Sequence, residues 1–140
     1  MLELASNYQL QRTPAGQISS NQGISLKYLE SLLATLKSAG LITSEKGWNG
    51  GYSLARSPWE ITLYDILHPL EDSLSIVECT TNTEECERLE VCVTREVWVQ
   101  LREATDGILK SISLNDLLER RKVLERSRTH NANGLTGVTP

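Results

Sequence analysis

Gly23-Ile24-Ser25-Leu26-Lys27-Tyr28-Leu29-Glu30-Ser31-Leu32-Leu33-Ala34-Thr35-Leu36-Lys37-Ser38-Ala39-Gly40-Leu41-Ile42-Thr43-Ser44-Glu45-Lys46-Gly47-Trp48-Asn49-Gly50-Gly51-Tyr52-Ser53-Leu54 is the stretch on which the fold turns. Leu29, Leu32, Leu33 and Leu36 recur at helical spacing, so residues 24–39 read as an amphipathic helix, capped by Ser25 and stopped by Gly40. Its other face carries Lys27, Tyr28, Glu30, Ser31 and Thr35. Such side chains donate to or accept from base edges and phosphates, although the same face suits any solvated helix.

The flanks of this helix give it a context. Gln17-Ile18-Ser19-Ser20-Asn21-Gln22-Gly23 reads as the end of a short helix and a glycine turn, which is helix-turn-helix spacing. Leu41 to Ser44 and Tyr52 to Ala55 read as two short strands joined by a hairpin that bears Asn49-Gly50. A hairpin directly after a recognition-type helix is the wing of a winged helix. Its tip, with Lys46, Trp48 and Asn49, has the chemistry to meet a phosphate backbone or a minor groove. The expected fold class is mainly α with a small β-hairpin wing.

Ile61 to Leu67 reads as a helix capped by Thr62 or the residues before it and ending near Pro69, which closes the winged helix-turn-helix at residues 1–70. Residues 71–92 form a polar, cysteine-bearing loop. Within residues 93–124, Val97, Leu101, Ala104 and Ile108 recur at steps of four, three and four, with Trp98 beside them. A chain this small does not easily cover so long a stripe, so the segment reads as a dimerisation helix, with packing on its own N-terminal lobe as the alternative. Ser113 with Asp116 forms a capping box for a further short helix, and residues 125–140 read as a disordered tail.

The formal net charge is −4, with the charges unevenly spread. Glu60, Asp65, Glu71, Asp72, Glu78, Glu84, Glu85, Glu87 and Glu90 face Arg88 alone across the middle of the chain, whereas Lys27, Lys37, Lys46 and Arg56 outnumber Glu30 and Glu45 before it. The N-terminal part is therefore mildly basic. No window approaches the ~18 apolar residues that span a bilayer, and a cytoplasmic location without membrane contact is expected.

Cys79, Cys86 and Cys92 are the only cysteines and are spaced C-x6-C-x5-C. An odd number of thiols close together is no closed disulfide framework, and a soft metal or an iron–sulfur cluster is the first reading. Structural zinc would need a fourth ligand and usually shows tighter pairs. No Ser/His/Asp or paired-carboxylate constellation points to an enzyme, and His130 lies in the tail.

Taken together, Gly23 to Glu30, Ala39-Gly40-Leu41-Ile42, Gly50 to Ala55, Cys92-Val93-Thr94-Arg95-Glu96-Val97-Trp98 and Ile112 to Leu117 resemble the Rrf-type winged-helix regulators, the family of IscR, NsrR, RirA and CymR. The resemblance runs through nearly the whole chain. It implies a homodimeric bacterial transcription factor on a partly palindromic double-stranded DNA operator, with an iron–sulfur cluster on three cysteines as its sensor. It places recognition-helix contacts on Lys27, Tyr28, Glu30 and Ser31 and the wing on Lys46 to Gly51, and metal ligation on Cys79, Cys86 and Cys92. Glu30 accepts from a cytosine amino group but repels phosphates, which sharpens specificity rather than affinity.

The sequence departs from the family pattern in two places. IscR-like members have a histidine three residues after the last cysteine that completes a two-iron site; here Arg95 stands there, and it cannot ligate. A four-iron cluster is therefore favoured, its remaining iron met by another group such as an acidic side chain near the partner's N-terminus; Glu84, Glu85, Glu87, Glu90 and His68 are further candidates. Met1 to Ala5 looks like the middle of the family's first helix, and the residues that usually precede it are not in this sequence. The alternative function is a cluster-free regulator controlled by a protein partner, as in the CymR branch, or by thiol oxidation.

Overall fold

The computed structural model of the protein describes residues 1–71, residue 77 and residues 91–133. Cys79, Cys86, Glu84, Glu85, Glu87, Glu90 and the side chain of His130 lie outside the described residues. The elements run α1 (Leu2–Ser6), α2 (Ala15–Gln22), α3 (Leu26–Ser38), β1 (Ile42–Glu45), β2 (Gly51–Leu54), α4 (Leu63–Leu67), α5 (Arg95–Ser111) and α6 (Leu114–Asn133).

The helix-turn-helix forms because Gly23 closes α2 in the left-handed region at φ 64°, and its neighbour Ile24 donates to the Ser19 carbonyl at 3.2 Å. Ser25 then caps α3 by accepting from the Tyr28 amide at 3.3 Å. Leu29, Leu33 and Leu36 of α3 are buried against Ile18, Leu41, Ile42 and Leu54. That burial is the hydrophobic term that seats α3 on the wing and on α2.

β1 and β2 pair antiparallel, with Ile42 opposite Leu54 and Glu45 opposite Gly51. The hairpin has a third, minimal strand. Thr13 bridges Tyr52 through two backbone bonds of 2.9 and 3.0 Å. Gly51 permits this approach, since a Cβ there would lie 2.8 Å from the Thr13 carbonyl group.

Leu114 and Leu118 of α6 lie in the same buried cluster as Leu4, Ile61 and Ile66, so α6 belongs to this core. Its first turn is tied to α4 by the Thr62–Ser113 bridge. Beyond the core, α6 continues to Asn133, past the short helix expected, and residues 125–133 are helical where a tail was expected. Residues 114–133 hold no Gly or Pro, and Glu119–Lys122 and Arg121–Glu125 pair along the surface at 2.8 and 3.6 Å. Propensity, not an apolar stripe, carries that half of the helix.

Candidate nucleic-acid interface and cysteine segment

Lys27, Tyr28, Glu30 and Ser31 are all exposed on one side of α3, opposite its buried leucines. Lys46, Trp48 and Asn49 are exposed at the hairpin tip, where nothing covers the Trp48 ring at 102 % relative exposure. The two sets are mechanically joined. Lys37 near the end of α3 donates from Nζ to Ser44 Oγ of β1 at 2.6 Å. Glycine shapes the tip itself, because a Cβ on Gly50 would sit 2.6 Å from the Glu45 carbonyl oxygen. The Arg12 guanidinium pairs with the Glu45 carboxylate at the loop end of β1.

α5 has two sides. It packs on α4, where Lys110 Nζ lies 4.2 Å from the centre of the Tyr64 ring and His68 stacks on the same ring at 5.1 Å. His68 therefore has a packing role at this joint. The other side carries Val97, Leu101 and Ile108 at 60, 40 and 62 % exposure, with Ala104 exposed between them. No residue of α5 is buried. Among the described residues, the stripe expected to form an assembly surface is thus left exposed. Gly107, expected either to weaken the helix or to mark a close crossing, is approached by nothing within 4 Å of an added Cβ.

Cys92 stands just before α5, half-buried, with its sulfur 3.4 Å from Thr94 Oγ1. The Thr94 hydroxyl and then the Thr94 backbone amide hold the thiol pKa below its ordinary value, partial burial opposes them, and Arg95 adds to the lowering. A thiol poised toward thiolate has the character a soft metal requires of a ligand. Arg95 offers no lone pair, and its Nε is enclosed without a hydrogen-bond partner among the described residues. Among the described residues no three His, Cys, Asp or Glu side chains come together as a cation site.

A family model described as Rrf2, iron-dependent transcriptional regulator, matches residues 1–120. The chain belongs to the Rrf2 family of transcriptional regulators. It is 37% identical over 118 residues to Protein rrf2 of Nitratidesulfovibrio vulgaris, which covers 84% of this chain and 79% of that protein. Its fold is similar to CymR, the global cysteine regulator of B. subtilis, with a TM-score of 0.70 and 35% identity over 85% of this chain and 87% of that one. T. potens IscR is similar at a TM-score of 0.70 and 34% identity, covering 86% of this chain and 78% of that one.

These likenesses bear out the winged-helix reading of the sequence and make this Rrf2-family protein a regulator rather than an enzyme. Among its described residues no helix is long and apolar enough to cross a membrane. Two contributors to the sites were not read from the sequence. Thr94, two residues beyond Cys92, is the chief influence on the thiol; its position beside a cysteine was the available signal. Arg12 lies in a segment without periodicity, and only the backbone pairing of Thr13 brings it to the wing.

Proposed function

We propose that this Rrf2-family regulator acts as a cytoplasmic homodimer on a partly palindromic double-stranded operator, and that Cys79, Cys86 and Cys92 hold an iron–sulfur cluster whose state sets operator affinity. The observation that carries this reading is the position of Cys92. Its sulfur lies 3.4 Å from Thr94 Oγ1 immediately before α5, the helix whose exposed Val97, Leu101, Ala104 and Ile108 stripe offers itself to a second copy.

An iron–sulfur cluster on these thiolates supplies a centre that responds to redox state, nitric oxide or iron supply. A four-iron form is favoured because Arg95 stands where the two-iron pattern needs histidine. On the DNA side, Lys27 and Lys46 contribute salt-dependent attraction to phosphates. Tyr28 and Ser31 reach base edges or sugars, and Glu30 discriminates against sequences that cannot donate to it. Trp48 and Asn49 present the wing tip to the groove. A change at Cys92 is passed along α5, through the Lys110–Tyr64–His68 stack to α4, and so to the core that seats α3.

The test is anaerobic purification with iron and sulfide analysis. Broad visible absorbance with about four irons per chain, lost in Cys92→Ala, supports the reading. A protein that takes up neither iron nor sulfide on reconstitution contradicts it. That outcome moves the weight to a thiol-based or partner-controlled regulator, a reading compatible with the likeness to CymR.

A further inference from the structure

The geometry points to Arg12 as an additional phosphate-binding residue of the wing, positioned by Glu45. Thr13 pairs with Tyr52 on the open side of β2, and Glu45 pairs with Gly51 on its other side. Arg12 and Glu45 therefore reach each other across the middle strand. Arg12 lies opposite Ser53 and Glu45 opposite Gly51, so the two meet on a diagonal across β2, and Gly51 places no side chain in the row of Glu45. The guanidinium donates one N–H, from Nη2, to Glu45 Oε1, and its other donors have no partner among the described residues.

Three considerations make this more than a surface ion pair. Glu45 is the last residue of β1, directly before Lys46 at the start of the wing loop, so the pair sits at the loop end of the hairpin. Both side chains are open to solvent, at 38 and 61 % exposure, and an exposed pair of this kind adds little to stability. A planar guanidinium held along one edge by a carboxylate keeps its other edge for a second oxyanion, and phosphate matches that fork. Glu45 also costs something if left bare, since a free carboxylate beside Lys46 would oppose the phosphates that Lys46 attracts. Arg12 cancels that charge and adds a donor of its own.

This inference rests on the wing meeting DNA. The test uses a duplex that the full chain selects from a random-sequence pool, and follows binding against salt for wild type, Arg12→Ala, Arg12→Lys and Glu45→Ala, with a thermal melt of each. Arg12→Ala is expected to weaken binding several-fold and to flatten the salt slope by about 0.9 for each wing engaged. Arg12→Lys should keep the slope while losing part of the affinity. Glu45→Ala breaks the same pair but should not flatten the slope. Equal effects of Arg12→Ala and Glu45→Ala, or an unchanged slope in Arg12→Ala, would overturn the assignment. A wild-type chain that selects no duplex would instead contradict the DNA-binding reading on which it rests.

Discussion

Thr62 and Ser113 face each other across a two-residue antiparallel bridge, with the Leu63 amide donating to the Ile112 carbonyl at 2.9 Å and the Leu114 amide to the Ile61 carbonyl at 2.8 Å. Each also caps a helix: Thr62 accepts from the Asp65 amide and Ser113 from the Asp116 amide, both at 3.2 Å. α4 and α6 thus start from one joint, at which α5 ends. The bridge ties the start of α6 to the start of α4.

Acid should loosen this joint. Asp116 accepts from Ser113 Oγ at 2.6 Å and from the Ser113 amide at 2.8 Å, which with Arg120 holds its carboxyl below the ordinary 3.8. A depressed folded-state value means the stabilisation is complete above the unfolded value and is lost as pH falls through the folded one. Chemical denaturation between pH 2 and pH 6 should therefore show an acid limb that Asp116→Asn flattens. Ser113→Ala should cost about 1 kcal/mol at neutral pH.

The join between the wing and Thr13 depends on Gly51. Gly51 sits at φ 145° with the Thr13 carbonyl group 2.8 Å from where a Cβ would be. Gly51→Ala should cost on the order of 1–3 kcal/mol in a melt and weaken DNA binding by parting the wing from Thr13. Gly107→Ala meets nothing, and in a helix interior should stabilise by up to about 1 kcal/mol.

The α5 stripe gives a prediction of assembly. Leu101→Glu or Ile108→Glu should leave the core intact, because no α5 residue is buried within the chain. Sedimentation should nonetheless show a weakened dimer. Two copies of a lost apolar side chain at ~1.5 kcal/mol each amount to roughly a hundred-fold in dissociation constant.

Contacts on α3 separate by kind. Lys27→Ala should lower affinity across all sequences and flatten the salt slope by about one, the signature of a lost phosphate contact. Glu30→Ala should change affinity little for the selected site and relax preference at one base position. Binding titrations on single-substitution duplexes read both effects.

The helix-turn-helix and the hairpin were legible because local signals agree there: leucine spacing in α3, Ser25 as cap, Gly23 as turn, and Asn49-Gly50 in the loop. The same held for the Thr62 and Ser113 caps, though not for their pairing. That bridge, like Thr13 against Tyr52, is a contact between single residues far apart in sequence, and no periodicity announces it. The second half of α6 was missed for the opposite reason. Its helix rests on propensity and exposed ion pairs, and a polar sequence of that composition reads equally as a tail. The exposed character of Lys27, Tyr28, Glu30 and Ser31 followed from the leucine face, whereas the Arg12–Glu45 pair needed the third strand to be seen.

Operator affinity measured anaerobically, before and after iron is stripped by a chelator, tests the central claim most directly. With the cluster reading, wild-type affinity for the selected duplex shifts on the order of ten-fold between the two states, about 1.4 kcal/mol of coupling, and Cys92→Ala stays at the stripped value whatever the treatment. Identical affinities for loaded, stripped and Cys92→Ala protein would contradict it.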